Sequence, residues 1–302
     1  MLPIVSICCI TYNHEPYIRE AIEGFLMQKT NFPIEIIIHD DASTDNTAGI
    51  IREYEQKHPE IFKCIYQKEN QYSKGVRGIT ARFTFPNARG KYIALCEGDD
   101  YWTDPLKLQK QVDFLEENED YSFTYCRFKT FHQDTGEIKN DQNERYFINQ
   151  EVAIDFDFEK FYNGWHMGTQ TLMFRKSVFS PIYAANYKYT KDIHLVTHLL
   201  IQGKAACLNF FGAIYRKHQG GIYSGGSNFQ NAKLSYLGYK EIYEQNKQIR
   251  YLKLKYIRFT QFYIDTLLQN KEFKEAFFKS FEIFLKNKDF RYFMTVIKCI
   301  VK

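Results

Sequence analysis

The chain has 302 residues, of which 25% are charged and 44% are hydrophobic. This composition is that of a globular protein and excludes extensive disorder. The mean hydropathy is -0.46, and no apolar run reaches the roughly 20 residues that a membrane-spanning helix needs. The first residues lack the basic segment and the long apolar core of a secretory signal peptide. We therefore expect the protein to stay in the cytoplasm.

The net charge of +4 is unevenly distributed along the chain. Residues 227–302 contain 15 Lys and Arg against 7 Asp and Glu, a net charge of +8, whereas residues 1–226 contain 25 against 29, a net charge of -4. The small overall charge gives no reason to expect nucleic acid as a partner. The asymmetry instead predicts an acidic body that carries a basic extension.

Strands and helices are predicted to alternate over the first ~115 residues. Nearly continuous apolar runs predict buried strands, at 4–10, 34–38, 61–66 and 91–96. Apolar residues at helical spacing predict helices after the first, second and fourth of these strands. The pattern favours an α/β fold with a doubly wound, mostly parallel sheet flanked by helices.

The rest of the chain is less regular up to a glycine-rich break at residues 220–227. Before the break we predict a hairpin from residue 123, further strands at 169–174 and 205–215, and a short helix at 192–200. After the break the sequence predicts only helices, rich in lysine and aromatic residues, with interruptions at Asn270 and Asn287. We therefore predict two domains, residues 1–220 and 221–302.

Acidic side chains follow two of the predicted strands. Asp40 and Asp41 end the second strand, and Glu97, Asp99 and Asp100 end the fourth. Ligands of doubly wound sheets bind beyond the carboxyl ends of the strands, and Mg²⁺ in such sites takes one or two carboxylates together with substrate phosphates. Taken alone, the cluster after the fourth strand could be a solvated acidic turn, and the pair after the second strand could be a helix-capping turn. Their combination favours one shared polar site.

Several common motifs are absent from the sequence. Neither the dinucleotide-binding G-x-G-x-x-G nor the P-loop G-x-x-x-x-G-K-[ST] is present, so a phosphate-bearing ligand is expected to be held by metal and basic groups. His194 and His198 are four residues apart, as metal ligands on a helix can be. No Glu follows the first of them, and a structural role is favoured over metal binding.

Taken in order, three segments resemble the inverting family 2 glycosyltransferases with a GT-A fold. These segments are Val5-Ser6-Ile7 to Thr11-Tyr12-Asn13, Asp40-Asp41-Ala42-Ser43-Thr44-Asp45 and Glu97-Gly98-Asp99-Asp100. The resemblance is continuous over about residues 3 to 120, patchier to about 220 and absent beyond that point. The motifs in this order are much more specific than any one of them alone.

The resemblance implies a role for individual residues. The donor nucleotide would be bound by Thr11, Tyr12, Asp41 and Asp99, with Tyr12 and Asp41 in the base pocket and Asp99 on the ribose. Asp100 would ligate Mg²⁺ or Mn²⁺ on the diphosphate, with His218 contacting the metal or the diphosphate. The catalytic base would be Asp192, and Trp165 and Gly168 would lie on the acceptor side.

The sequence departs from the family pattern in two places. Glu97 stands where the family has Asp, which keeps the charge. Lys191 precedes Asp192 where the family usually has Glu, so Asp155 and Asp157 are alternative candidates for the base.

The function implied is metal-dependent transfer of a sugar from a nucleotide-diphosphate sugar to a glycan or lipid-linked glycan, in the synthesis of a surface polysaccharide such as capsule or O-antigen. The basic helices are expected to pack on one another and on the catalytic domain. Contact with an anionic membrane, at the inner face of the plasma membrane, is the less favoured alternative, and the two are compatible. Two other hypotheses remain open at this point, an inactive GT-A-like scaffold or binding protein and, less favoured, a nucleotidyltransferase.

Overall fold

A computed structural model provides the structure of the protein. The residues that it describes are 2–164, 167–180, 187–221 and 227–301. The chain forms two compact units. The first contains Met1–Asp157 and Gly164–His218, and the second contains Phe158–Asn163 and Gln219–Lys302. The predicted boundary after residue 220, as a boundary between domains, stays a prediction.

One mixed sheet forms the centre of the first unit. Its ten strands within the described residues are β1 (Val5–Thr11), β2 (Ile34–Asp40), β3 (Phe62–Tyr66), β4 (Tyr92–Glu97), β5 (Tyr101–Trp102), β6 (Tyr121–His132), β7 (Ile138–Asn140), β8 (Ala153–Phe156), β9 (Met173–Arg175) and β10 (Lys204–Lys217). The order across the sheet is β3-β2-β1-β4-β9-β6-β10-β5, with β7 beside β6 and β8 beside β10. Strands β3, β2, β1 and β4 are parallel, as are β6 and β10.

Helices flank this sheet. Within the described residues those of the first unit are α1 (Ile18–Leu26), α2 (Thr47–Lys57), α3 (Lys107–Glu117) and, further along the chain, α5 (Asp192–Gln202). The helix between α3 and α5 in the sequence, α4 (Phe158–Gly164), belongs mostly to the second unit. On α1, Ile18, Ile22 and Phe25 recur at helical spacing and are fully buried. The Phe25 ring meets that of Trp102 edge to face, with centroids 4.9 Å apart. The apolar stripe of α1 thus packs into the main core.

The register of the parallel strands aligns their carboxyl ends. Thr11 of β1 pairs with Asp40 of β2, and Ile10 pairs with Glu97 of β4. The backbone continues this alignment beyond the strands, because Asp41 N donates to Thr11 O over 2.9 Å and Gly98 N donates to Ile10 O over 3.0 Å. The acidic ends of β2 and β4 therefore lie on either side of β1.

The predicted fold class is confirmed, with corrections in detail. Residues 169–171 form a 3₁₀ turn, so the strand predicted at 169–174 contains only Met173–Arg175. The strands β5 and β8 and the helix α4 were missed. Strand β5 has only two residues, which is too short for any alternation of apolar and polar residues.

The second unit contains four further helices, α6 (Asn228–Gln245), α7 (Arg250–Gln269), α8 (Phe273–Asn287) and α9 (Phe290–Val301). The breaks predicted at Asn270 and Asn287 are confirmed. Aromatic rings pack between these helices, as where Tyr243 of α6 stacks on Tyr256 of α7 with centroids 5.3 Å apart. None of the helices in the described part of the chain has both the length and the apolar character needed to cross a membrane.

Candidate functional site

The candidate site lies at the carboxyl edge of the sheet. Strand β1 has β2 on one side and β4 on the other, so the strand order reverses beside it, and such a switch point leaves a crevice beyond the strand ends. Thr11, Asp40 and Glu97 end these three strands. His218 directly follows β10, which runs in the same direction as β6. Residues distant in the sequence are thus brought to one edge.

Asp99 is the centre of this arrangement. Its Oδ2 lies 3.1 Å from Nε2 of His218 and 3.7 Å from Nε2 of His14. Burial acts to raise the pKa of Asp99, but the hydrogen bond with His218 and the nearby His14 outweigh it and hold the pKa below the usual aspartate value. Asp99 is therefore ionised at neutral pH, ready to accept hydrogen bonds or a cation.

Gly98, next to Asp99, is packed closely against Thr11 and His14. A Cβ on Gly98 would lie 2.7 Å from Oγ1 of Thr11 and 3.0 Å from Nδ1 of His14. These two atoms and Oδ1 of Asp99 are buried, and none has a hydrogen-bond partner among the described residues. Buried polar atoms without partners are costly. The cluster accordingly fits a polar ligand that would supply the missing contacts.

Asp100 faces a different environment from its neighbour. It is buried, and its Oδ1 accepts a hydrogen bond from the backbone amide of Arg216 over 2.8 Å. Burial, followed by the charges of Asp99 and Glu97, raises the pKa of Asp100 well above its usual value. A raised pKa means that the ionised form of the side chain is disfavoured, and a bound cation would stabilise that form.

The Arg216 side chain holds the same turn together. Its Nε donates to the carbonyl of Asp99 over 3.0 Å, Nη1 donates to Oε1 of Gln133 over 2.6 Å, and Nη2 pairs with Glu20. The guanidinium carbon lies 5.0 Å from the ring centre of Tyr17 and a similar distance from that of Tyr101. Sequence reasoning missed Arg216, although it stands two residues before His218.

Asp41 organises the loop that follows β3. Its Oδ1 accepts from the backbone amide of Gln71 over 2.9 Å, and its Oδ2 accepts from that of Tyr72 over 3.0 Å. The side chain is buried, whereas that of Tyr12 is exposed to solvent. Each carboxylate oxygen of Asp41 keeps further acceptor capacity. The assignments of Asp41 and Tyr12 to the base pocket stay predictions.

Asp192 is the first residue of α5 and is exposed to solvent. Its Oδ1 accepts from the amide of Ile193 over 2.9 Å, and loss of hydration next to the surrounding protein raises its pKa above the usual value. Asp192 lies close enough to Glu97 to affect its charge. Burial, with Asp99 next and then Asp192, raises the pKa of Glu97 to about 8.

Tyr215 also interacts electrostatically with Asp192 and with the acidic residues at the end of β4. Burial and then the charges of Asp100, Glu97, Asp99 and Asp192 raise the pKa of Tyr215. All four acidic side chains therefore influence the phenol of Tyr215, and Asp192 is one of them.

The two alternative candidates for the base are Asp155 and Asp157. Both are exposed. The carboxylate of Asp155 accepts from the hydroxyl of Tyr121 over 2.5 Å, and Tyr121 begins β6 at the edge of the sheet opposite the acidic cluster. Asp155 is therefore away from the carboxyl ends of the strands.

On the predicted acceptor side, Trp165 lies outside the described residues. Gly168 precedes the 3₁₀ turn, and its carbonyl accepts from the amide of Thr171 over 2.9 Å. Next to it, the side-chain amide of Gln170 is buried without a hydrogen-bond partner in the described part of the chain. The roles of Trp165 and Gly168 stay predictions.

The predicted histidine pair makes internal contacts. Nδ1 of His194 accepts from the amide of Lys191 over 3.1 Å, and Nε2 of His198 lies 3.0 Å from the carbonyl of Val178. These contacts support the structural role predicted for both rings.

Within the described residues, no group of three or more His, Cys, Asp or Glu side chains could hold a metal ion by itself. Asp100 and His218 nevertheless fit a hard cation whose coordination substrate oxygens complete, because Mg²⁺ keeps several non-protein ligands. The buried Oδ1 of the neighbouring Asp99, which has no hydrogen-bond partner among the described residues, agrees with a polar ligand at this place. Metal binding by Asp100 and His218 stays a prediction.

Comparison with known proteins gives a family match and several relatives. The family model described as Glycosyl transferase family 2 matches residues 6–182. An uncharacterized protein of Mycobacterium tuberculosis is 36% identical over 221 residues, which are 72% of this chain and 60% of that protein. The chain thus spans less than two thirds of the length of this relative.

Two of the relatives that have functional names bear on the acceptor. The putative teichuronic acid biosynthesis glycosyltransferase TuaG of Bacillus subtilis is 27% identical over 80% of this chain and 88% of its own. The UDP-Glc:alpha-D-GlcNAc-diphosphoundecaprenol beta-1,3-glucosyltransferase WfaP of Escherichia coli is 36% identical over 42% of this chain and 47% of its own.

Solved structures share the fold at low sequence identity. Residues 1–349 of TarS from S. aureus, in complex with UDP-GlcNAc, match with a TM-score of 0.60 and 18% identity, over 97% of this chain and 79% of that one. The mannosyltransferase PcManGT from Pyrobaculum calidifontis, in complex with GDP-Man and Mn²⁺, matches with a TM-score of 0.54 and 14% identity, over 100% and 86%. These likenesses concern the fold alone.

Proposed function

Since the chain belongs to glycosyl transferase family 2, we propose that it transfers a sugar from a nucleotide-diphosphate sugar to a hydroxyl group of a glycan acceptor, with inversion at the anomeric carbon. The observation that carries this proposal is the cluster of unpartnered polar atoms around Gly98. Thr11, His14 and Asp99 each present one such atom at the carboxyl edge of the sheet.

The donor would occupy this crevice. Thr11, Tyr12, Asp41 and Asp99 would bind the nucleoside, with Asp41 on the edge of the base and Asp99 on the ribose. TarS with UDP-GlcNAc and PcManGT with GDP-Man support a nucleotide sugar as the class of donor. Asp41 already holds the loop at Gln71 and Tyr72, so base binding and loop position would be coupled.

A divalent cation, Mg²⁺ or Mn²⁺, would be held by Asp100 with His218 nearby, and the Mn²⁺ complex of PcManGT supports this cofactor. Bound to the diphosphate, the cation would act as a Lewis acid that stabilises the negative charge of the leaving group. Arg216 would keep Asp99 and Asp100 in place through its contacts with both residues.

Asp192 would act as the general base. Its carboxylate is open to solvent at the beginning of α5 and lies in the field of the acidic cluster, where an acceptor hydroxyl could deliver its proton as it attacks the face opposite the leaving group. General base catalysis is worth roughly 10²–10⁴ in rate. A product that retained the configuration of the donor would contradict this single-displacement mechanism.

The acceptor would be a glycan or lipid-linked glycan in the synthesis of a surface polysaccharide. The names of TuaG, for teichuronic acid biosynthesis, and of WfaP, for a diphosphoundecaprenol-linked acceptor, support this class. A lipid-linked acceptor would place the enzyme at the inner face of the plasma membrane, as a peripheral protein in the cytoplasm.

The first test is a thermal-shift panel with the diphosphates of uridine, guanosine, thymidine and cytidine, each with Mn²⁺ and with EDTA. A ligand at about 100 times its Kd stabilises the native state by about 2.7 kcal/mol. We expect one nucleotide to raise the melting temperature by several degrees with Mn²⁺, and Asp100→Asn to abolish the shift. Asp113→Asn, an exposed residue of α3, is the matched control.

The absence of a shift with every nucleotide would overturn the donor site. A shift without turnover, with a suitable acceptor present, would favour the inactive scaffold. Release of diphosphate from a nucleoside triphosphate would instead indicate a nucleotidyltransferase.

A further inference from the structure

Helices α8 and α9 of the second unit expose several large apolar side chains. On α8, Ala276, Ser280 and Ile283 are buried, and the opposite side exposes large apolar side chains. Phe278 and Leu285 are 58% and 52% exposed, and Phe290, which begins α9, is 58% exposed. Phe277 and Phe281 are exposed as well. Exposed apolar side chains that are grouped on one pair of helices in this way are typical of an interaction site.

Basic side chains accompany these apolar residues. Those exposed on or beside the two helices are Lys271, Lys274, Lys288, Arg291 and Lys298. None of the five has a carboxylate within ion-pair distance in the described part of the chain. We call these five residues, together with Phe277, Phe278, Phe281, Leu285 and Phe290, the α8–α9 face. This face is both apolar and cationic.

The acidic residues of the same helices are engaged elsewhere. Glu275 accepts from the hydroxyl of Tyr263 over 3.1 Å. Glu282 accepts from the hydroxyl of Tyr256 over 2.7 Å and lies near three lysines, Lys240, Lys279 and Lys286.

Asp289 accepts from the amide of Tyr292 over 3.0 Å, at the beginning of α9. Glu275, Glu282 and Asp289 are all half-buried, and Glu272 before α8 is exposed. Of these four acidic residues only Glu272 is exposed, whereas five basic residues on or beside the same helices are exposed.

We propose that the α8–α9 face binds the surface of an anionic lipid bilayer. Phenylalanine and leucine side chains on an amphipathic helix enter the boundary between headgroups and acyl chains, and basic residues beside them are attracted to anionic headgroups. Each Lys or Arg near such a surface contributes about 1 kcal/mol. Charge complementarity thus selects an anionic bilayer over a neutral one.

The same charges argue against a second copy of the chain as the occupant. A twofold dimer places the same patch of both subunits against itself. The five cations would then face five identical cations in an interface of low dielectric, where like charges repel strongly. An anionic bilayer removes this repulsion.

Co-sedimentation of the full chain with vesicles tests the proposal. We expect binding to mixed phosphatidylcholine–phosphatidylglycerol vesicles, little binding to pure phosphatidylcholine vesicles, and release at high salt, because screening shortens the range of the attraction. The double variant Lys274→Gln/Lys288→Gln should lower partitioning by about 25-fold, since each basic residue contributes a factor of about five. Phe278→Ser/Leu285→Ser should lower it by about tenfold or more.

Phe262→Ser is the matched control, because Phe262 is a 50% exposed phenylalanine on α7, outside this face. It should bind like the wild type. Equal binding to neutral and anionic vesicles, or equal binding by all variants, would overturn the proposal.

A wild-type dimer that becomes monomeric in Phe278→Ser/Leu285→Ser, without vesicle binding, would assign the face to self-association. Circular dichroism checks that each variant is folded. If Phe278→Ser/Leu285→Ser does not fold, the vesicle binding of Lys274→Gln/Lys288→Gln alone tests the proposal. Nucleotide binding in the thermal-shift panel is a separate readout, so the two proposals fail independently.

Discussion

The backbone amide of Arg216 donates to Oδ1 of Asp100 over 2.8 Å, across 116 positions of the sequence. Arg216 belongs to β10 and Asp100 follows β4, and these strands are not neighbours in the sheet. The guanidinium of Arg216 also reaches the carbonyl of Asp99. The end of β10 therefore fixes the turn that carries both aspartates.

Replacement of the Arg216 side chain should loosen that turn. Arg216→Gln keeps the backbone bond to Asp100 but loses the side-chain contacts with Asp99, Gln133 and Glu20. We expect metal affinity in the presence of nucleotide to fall by about 10–100-fold, as for other residues that orient metal ligands. Titration of Mn²⁺ against the nucleotide-bound protein by calorimetry measures this change.

Arg19→Gln serves as the control, because Arg19 forms an exposed ion pair with Glu53 on the surface. It should leave metal affinity unchanged. If Arg216→Gln lowers the melting temperature but not the affinity for Mn²⁺, the role of Arg216 is only structural.

The sequence predicts the first half of the fold well because local signals agree there. Each buried strand is a nearly continuous apolar run, and on α1 the apolar residues Ile18, Ile22 and Phe25 share one face. Later strands depend on tertiary contacts. Strand β8 is an edge strand whose residues, such as Asp155, pair with β10, and nothing local in the segment predicts that partner.

In the candidate site, too, some residues can be predicted from the local sequence and others depend on contacts between distant segments. Asp99 and Asp100 stand out because acidic residues follow a buried strand. The convergence of Thr11 and His14 on Gly98 is set by the register of β1 against β4. Arg216 reaches the site only through the packing of a distant strand. Contacts between strands that are distant in the sequence cannot be predicted from the residues of either strand alone.

Asp192→Asn should remove the general base. We expect kcat to fall by about 10²–10⁴-fold, with nucleotide binding unchanged, because Asp192 is assigned to the acceptor and not to the nucleotide. Asp155→Asn is the matched control and should retain activity, since Asp155 contacts Tyr121 at the opposite edge of the sheet. If Asp155→Asn lost activity and Asp192→Asn retained it, Asp155 would be the general base.

The pH dependence of the rate follows from the same group. Loss of hydration raises the pKa of Asp192, and catalysis needs the ionised carboxylate. The value of kcat should therefore fall as the pH drops through a value above that of an ordinary aspartate. Because the native state then holds the proton more tightly than the unfolded state, this group lowers stability as pH rises through its pKa.

Asp192→Asn should consequently melt at a slightly higher temperature than the wild type at pH 7, with no such difference at pH 3. Melting curves at the two pH values measure this gain. A lower melting temperature at pH 7 would contradict the raised pKa.

His218→Gln tests the metal side of the site. The variant loses the contact between Nε2 and Oδ2 of Asp99 at 3.1 Å, and we expect the Mn²⁺ concentration for half-maximal activity to rise by about 10–100-fold. His198→Gln, which alters a ring that contacts the carbonyl of Val178, should leave that concentration unchanged. Equal metal requirements in all three proteins would separate His218 from metal binding.

Gly98→Ala should displace Thr11 and His14, beside which the donor is proposed to bind. The new methyl group would lie 2.7 Å from Oγ1 of Thr11 and 3.0 Å from Nδ1 of His14, and relief of such overlaps costs about 1–3 kcal/mol. We expect nucleotide affinity to fall by more than about tenfold, which is more than about 1.4 kcal/mol. Gly49→Ala on α2 is the control, because its methyl group meets only the flexible side chain of Asn46. Calorimetry with the nucleotide found in the thermal-shift panel compares the variants, and wild-type affinity in Gly98→Ala would show that the ligand lies elsewhere.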